Sequence, residues 1–310
     1  MNISARWAYL AVLVGVFGHS SSEFFAKLTG LAGPEVSVWR YLIGAAGLLI
    51  WALARADSRD LITPMQRDWR TLVPLSLLGI SAAYLFFHWA LDFASVIQVA
   101  TLVTTIPIFV GLGNLVANRT PISAVKFMTG VLAVIGVAML LTDGYVDVLA
   151  EGASLYGVLM ALLSAAFVAT YSVLAKPLMQ EYGGLRIITL AITIGAIGLW
   201  ISVGALWGIW VNPLTLGSMP TVAFWSLIVL GLWNTTITQL LWLGGLAAAP
   251  DMTRASYLFF LKPVIAALLA VMILGDIPTT LQIVAILVVS GSVLVEIFWP
   301  RISARLGRPR

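Results

Sequence analysis

The chain of 310 residues contains no cysteine, two histidines, and only 17 basic and 13 acidic side chains. Without cysteine there is no disulfide framework, no thiolate nucleophile and no Cys-based metal site. His19 and His88 are far apart, and neither an HExxH pair nor a phosphate-binding glycine loop occurs, so zinc hydrolases and P-loop enzymes are excluded. So few charges cannot cover a water-facing surface for a chain of this length, and a soluble globule is excluded as well. What the sequence has instead is apolar surface: 61% of residues are hydrophobic, against roughly 45–50% in soluble domains. A helix needs about 20 apolar residues to cross a bilayer, so the chain has room for ten crossings and short connections.

Apolar runs between polar breaks predict helices at 7–26, 36–55, 71–91, 96–117, 123–142, 154–176, 185–208, 222–246, 253–274 and 280–299. The breaks hold the usual punctuation, such as Gly30 with Gly33 and Pro34, the run 56–70, Gly183 with Gly184, and Pro250 with Asp251. A cleaved leader is the alternative for the first run. It is disfavoured because the apolar stretch continues through Phe24 and Phe25 and a matching segment opens the second half.

Ten crossings put both termini on one side, and that side then carries fourteen basic residues, from Arg6 through Arg55, Arg119, Lys176 and Arg254 to Arg310. The other side holds Lys27 alone, beside several acids. By the positive-inside rule both termini are expected in the cytoplasm. Trp7, Trp51, Trp69 and Trp299 fall at cytoplasmic ends and Trp39, Trp89, Trp207, Trp210 and Trp225 at outer ends, as interfacial belts do. Trp233 lies mid-span, where packing and lining of a substrate path both fit.

The two halves resemble each other. Gly79 aligns with Gly231, Trp89 with Trp242, Pro107 with Pro263 and Gly136 with Gly291, at offsets of 152 to 156. An odd number of spans per half forces the second half to insert upside down. The expected organisation is therefore a first unit at 1–142, an inverted unit at 154–299 and a basic tail at 300–310. Inverted repeats recur in secondary transporters, with the substrate site near the midplane between them.

The stretch from Leu241 to Val295, with Pro263, Gly275, Asp276 and Gly291, resembles the second-repeat signature of EamA-type carriers in the drug/metabolite transporter superfamily. Trp39, Arg40, Tyr41, Pro107 and Gly136 match the first repeat more loosely, and Asn118 with Arg119 replaces its Gly-Glu. Within that superfamily the chain looks most like bacterial aromatic amino acid exporters. The resemblance implies a bacterial inner-membrane carrier with helices 1–4 and 6–9 around a cavity and helices 5 and 10 outside it. Many relatives have Glu before the helix 9 proline, where this chain has Lys262, so their charge arguments do not transfer.

Ionisable groups at bilayer depth are costly and should face the protein interior or a wet cavity. His19, Glu23 and Lys27 share one helical face; His19 and Glu23, with Arg40 and the bends at Pro107 and Pro263, form the gating and structural set, where local compensation and lining of the outer mouth are both open. Tyr84 and His88, four apart, either satisfy each other or face the cavity. Lys262, too deep to snorkel comfortably, either faces the cavity and holds a carboxylate or pairs with a buried carbonyl or another partner within the protein. Gln98 and Thr101 on helix 4, and Asn234, Thr238 and Gln239 on helix 8, form polar stripes that hydrogen-bond between helices or line the cavity. Trp233 and Tyr257 would add aromatic faces to the substrate-binding set.

The sequence thus reads as an all-α integral membrane protein of ten transmembrane helices in two inverted five-helix repeats. Its expected activity is export of aromatic or hydrophobic amino acids by alternating access, with efflux of amphipathic drugs or other small metabolites as the alternative. No catalytic residues, metal or cofactor are expected. The expected partners are a small-molecule substrate and the lipid bilayer, with no nucleic acid, and a monomer suffices.

Overall fold

The computed structural model describes residues 3–94, 96–143, 155–274 and 278–305, apart from the side chains of residues 23, 27, 91, 96–98, 270, 273, 274 and 305. All regular structure among the described residues is helical. Nine helices among them are long and apolar enough to cross a membrane: α2 (Gly33–Ala54), α3 (Ile62–Ala90), α4 (Val99–Asn118), α5 (Ala124–Thr142), α6 (Leu155–Tyr182), α7 (Gly184–Trp207), α8 (Thr221–Ala248), α9 (Met252–Leu269) and α10 (Thr280–Ala304). Ahead of them runs α1 (Ala8–Leu28), a further helix of 21 residues.

Local chemistry sets the ends. Gly30 turns the chain at φ +68°, and Pro34 with Glu35 occupies the first turn of α2, where a missing N–H is harmless and a negative charge favourable. Ser123 Oγ accepts from Lys126 N at 3.2 Å to start α5, and Asp251 Oδ1 accepts from Arg254 N at 2.9 Å to start α9.

Three boundaries differ from expectation, one being the end of α10, which runs through Pro300 to Ala304 into the stretch expected as a tail. Asp60 Oδ1 accepts from Thr63 N at 3.0 Å, so α3 begins at Ile62, within the expected break 56–70. That first stretch is amphipathic rather than apolar, and it kinks at Asp68 (φ −123°, ψ 19°). α6 continues past 176 to Tyr182, because Pro177 stands in the first turn of a fresh helical segment. The expected break at 143–152 lies mostly outside the described residues.

Helices α5 and α10 pack chiefly on each other, with Gly136 against Val289. The remaining eight surround the middle of the molecule. Within this group α1 packs on α8 and α6 on α3, while α2 packs on α8 and α7 on α3. Glycines permit the close crossings: a Cβ on Gly79 would sit 2.3 Å from Tyr171 Cβ, and one on Gly44 would sit 2.5 Å from Thr235. α8 is the most enclosed of the nine spans, with 67% of its apolar window buried, and α10 the least, with 28%.

Trp7, Trp69, Trp210 and Trp225 are at least half exposed, as a lipid interface allows. Trp39 departs from its expected interfacial place. It is 2% exposed and sits in the core with Tyr41.

Four interruptions occur in matched places. α3 and α8 each contain a π-helical turn, Leu77–Ala82 and Leu232–Ile237. α4 breaks at Thr104 and Thr105 just before Pro107, and α9 tightens into a 3-10 stretch, Tyr257–Phe260, just before Pro263. Loosened backbone in a membrane helix needs other partners, and in α8 the hydroxyls of Thr235 and Thr236 donate to Leu230 O at 2.9 Å and Gly231 O at 3.1 Å. A hydroxyl of each π turn also grips a neighbouring helix in the same way: Ser81 Oγ donates to Gly195 O at 2.8 Å, and Thr236 Oγ1 donates to Gly44 O at 3.0 Å.

Candidate substrate cavity

The four interrupted helices, with α1, α2 and α6, enclose a cavity of about 250 Å³. It runs from His19, Trp242 and Phe259 to Leu31 and the exposed Gly33 at the α1–α2 connection. That volume lies at the small end of ligand sites and suits a small amphiphile.

The aromatic part is built from both halves of the chain. Trp242 and Phe259 rings lie 4.9 Å apart, and His19 meets both edge-on at 6.0 and 5.9 Å. Opposite them Tyr84 packs on Tyr41 at 4.7 Å, and Tyr171 and Phe87 complete the wall.

The polar part is anchored by neighbours. Ser37 Oγ and His88 Nε2 share a hydrogen bond of 2.8 Å, and Gln239 Nε2 donates to Tyr41 OH at 3.4 Å. Arg40 donates from Nε to Thr235 Oγ1 and from Nη2 to Asn234 O, each at 3.0 Å, so α2 is tied to the π turn of α8. His19 Nε2, His88 Nδ1 and Tyr171 OH are buried and hydrogen-bond to no described residue. Each is a donor or acceptor that a ligand can engage.

Of the substrate-binding residues expected from sequence, Tyr84, His88, Gln239 and Lys262 line this cavity together. The others do not. Asn234 Nδ2 donates to Gly18 O at 2.5 Å and Ser21 Oγ at 2.9 Å, and Trp233 Nε1 reaches the same Ser21 Oγ at 3.4 Å, so both stitch α8 to α1. Thr238 packs against Gly18. Thr101 is buried outside the lining, with its carbonyl accepting from Thr104 Oγ1 at 2.6 Å. Tyr257 OH donates to Lys126 O, and Tyr257 is not among the lining residues. The side chain of Gln98 lies outside the described residues.

Among the gating and structural set, His19 and Arg40 are cavity walls. Pro107 is buried in the first turn after the α4 break. Pro263 faces a separate groove between α5, α9 and α10. The Glu23 side chain lies outside the described residues. The sequence reading omitted Ser37, Tyr171, Trp242 and Phe259 from the wall. Trp242 carried a usable signal, since it pairs with Trp89 in the repeat, whereas Tyr171 is placed only by the α3–α6 crossing at Gly79.

The opposite end is shut by charge. α8 ends beside the start of α1, where Gly245 packs on Val12 and the carbonyl of Ala8. The turn that follows carries Asp251, whose Oδ2 takes Lys126 Nζ of α5 at 2.7 Å and Arg254 Nη1 at 3.4 Å. Arg254 Nε in turn donates to Glu296 Oε1 of α10 at 3.0 Å, and Glu296 is fully buried. Asn114 Nδ2 of α4 donates to Thr253 Oγ1 at 3.2 Å. Burial pushes the Asp251 carboxyl up, but the Lys126 ammonium and the Arg254 amide and guanidinium outweigh it and hold it below the usual carboxylate range.

An all-helical, multi-pass bundle with a ligand-sized cavity reached from one end and sealed at the other has the architecture of a membrane transporter. This chain belongs to the EamA-like transporter family: the family's sequence profile matches it twice, at residues 6–142 and 155–297. Similar proteins include an uncharacterized transporter of Archaeoglobus fulgidus, 24% identical over 79% of this chain and 80% of that one. The uncharacterized transporter YdfC of Bacillus subtilis is 23% identical over 91% and 88%. A crystal structure of a protein 18% identical in sequence, covering 96% of this chain and 99% of that one, superposes with a TM-score of 0.79, which shows a common fold.

Proposed function

We propose that the chain is a carrier of small ring-bearing carboxylates in a bacterial inner membrane, with export of aromatic and hydrophobic amino acids as its first activity. In this reading α1 also crosses the bilayer, giving ten spans, and both termini face the cytoplasm. The two matched segments are inverted copies that rock about the cavity. The doubled hydrogen bond, Ser81 to Gly195 and Thr236 to Gly44, and the crossed packing of α3 on α6 and α8 on α1 support that inversion.

The observation that carries the reading is a cavity walled by both halves that combines the Lys262 ammonium with the Trp242, Phe259 and Tyr84 rings. A carboxylate head meets the cation and a ring meets the aromatic faces. The seal of Lys126, Asp251, Arg254 and Glu296 would close the cytoplasmic side in this state and break when the halves rock. Efflux of amphipathic drugs is the second reading, favoured by the largely apolar wall.

The test is uptake and efflux of radiolabelled Trp, Phe, Ala and a cationic dye in proteoliposomes, with and without a pH gradient. Saturable flux of Trp and Phe above Ala and the dye is expected. Flux of the dye alone would select the second reading, and flux that never saturates would indicate a pore.

A further inference from the structure

Three residues of the cavity wall bury a polar atom that bonds to no described residue: His19 Nε2, His88 Nδ1 and Tyr171 OH. His88 is held through its other nitrogen by Ser37. Tyr171 has a single polar side-chain atom, and that atom is the unpaired one. The residue is 1% exposed, so bulk water does not compensate the hydroxyl either. A buried hydroxyl without a partner opposes folding, and a phenylalanine would fill the same space without that penalty.

The fold fixes where this ring lies. α6 packs on α3 and α4, and Tyr171 meets Gly79 in the π turn of α3, where a Cβ would fall 2.3 Å from Tyr171 Cβ and 2.6 Å from its Cγ. The bare backbone of Gly79 lets the tyrosine lie directly on α3 and take its place in the cavity wall. Its surroundings are neutral. From Leu155 to Ala175 α6 carries no charged residue, and no described charged group acts on the Tyr171 phenol. His19 and Glu23 stand on α1, which packs on α8 and α9 instead. A lone hydroxyl in such a place matches a neutral N–H or O–H of a ligand better than an ion, because an ion there has no opposite charge to meet.

We propose that Tyr171 is a specificity-determining residue whose hydroxyl pairs with the polar edge of the substrate ring, the N–H of an indole or the O–H of a phenol. This rests on the carrier reading above. An indole N–H donates to the tyrosine oxygen, and a phenol hydroxyl either donates or accepts there. A plain phenyl ring leaves the hydroxyl unpaired, so the wall favours tryptophan and tyrosine over aromatic amino acids of similar shape that lack a polar edge. These amino acids share one head group, and its contacts cancel when they are compared.

Two matched pairs isolate the ring edge. Benzothienylalanine replaces the indole N–H of tryptophan by sulfur at nearly constant shape, and phenylalanine is tyrosine without its hydroxyl. Affinities of all four for the purified full-length protein in detergent are measured by competition against radiolabelled tryptophan. The wild type should bind tryptophan about three- to tenfold more tightly than benzothienylalanine, the size of one neutral hydrogen bond. Tyr171→Phe should lower the ratio of affinities within each pair by about the same factor. Thermal unfolding of the empty protein gives a second readout. Deleting an unpaired hydroxyl should leave the unfolding temperature equal or raised.

Equal wild-type affinities for tryptophan and benzothienylalanine overturn the role of Tyr171 without recourse to any variant, and leave the carrier reading standing. Ratios unchanged in Tyr171→Phe do the same, whether the variant binds all four ligands as the wild type does or more weakly by one factor. A lowered unfolding temperature, or loss of folding, makes the hydroxyl structural and also overturns its role in selection. Failure of the wild-type protein to bind any of the four overturns both readings.

Discussion

The two ends of the helical bundle use the same residue types to opposite purpose. At the sealed end Lys126 and Arg254 are matched by Asp251 and Glu296, so charge is spent within the protein and ties α5, α9 and α10 together. At the open end Arg40 is held by Thr235 Oγ1 and Asn234 O, and Lys262 stands with aromatic rings in the same cavity wall. The first set of charges joins helices to one another, and the second faces a cavity. The sequence alignment of the halves sharpens the contrast. The positions that correspond to Lys126, Asp251, Arg254 and Glu296 are Leu281, Ser95, Gln98 and Leu141. The ionic network at one end of the bundle therefore has only uncharged residues at the aligned positions of the other half.

The largest effect should come from breaking the joint. Arg254→Ala leaves the fully buried Glu296 without its cation, and removal of one partner of a buried pair costs about 3–5 kcal/mol. Thermal unfolding in detergent reads the loss. The double variant Arg254→Leu with Glu296→Leu should recover most of it, since an apolar replacement leaves no charge stranded. If the single variant unfolds at the wild-type temperature, the network is not a structural joint.

A lysine at each end offers a direct comparison. Lys126→Met should lower thermal stability by about 1–3 kcal/mol, through the lost partner of Asp251, with substrate affinity nearly unchanged. Lys262→Met should lower carboxylate flux by about tenfold, one charge-assisted contact. An unchanged flux in that variant would remove the anion-holding role of Lys262.

How far the sequence alone reaches is clear from the same two ends. Helix content and most boundaries were legible because lipid imposes long apolar runs, and the cavity positions of Tyr84, His88, Gln239 and Lys262 were legible because polar groups at bilayer depth must turn inward. Asn234 and Trp233 obeyed that same rule, yet they turned toward α1 rather than the cavity. Helical spacing fixes a face and not the neighbour that face meets. The neighbours depend on glycine crossings such as Gly18 with Thr238 and Gly79 with Tyr171, and those are tertiary facts. The π turns were hidden for a related reason, since one extra residue per turn leaves composition unchanged and shows only in which side chains share a face.

The doubled hydrogen bond tests whether the halves are energetic as well as geometric counterparts. Ser81→Ala and Thr236→Val each remove one donor to a glycine carbonyl, and each should cost about 1 kcal/mol. Thr236 Oγ1 also donates to Gly231 O at 3.1 Å, so its variant should cost slightly more. A loss confined to one variant would show that only one of the two π turns depends on its neighbouring helix.

The smallest effect is a pH dependence at the sealed end. The Asp251 carboxyl is held below its ordinary value of 3.8 in the folded protein, so it binds protons less readily folded than unfolded. Its stabilising contribution is therefore complete above about pH 4 and lost as pH falls through the lowered folded value. Unfolding temperatures measured from pH 7 down to pH 3 should fall in the acid limb, and Asp251→Asn should flatten that limb while starting from a lower plateau. The cavity end supplies the control, because Lys262→Met removes no carboxylate and should keep the acid limb of the wild type.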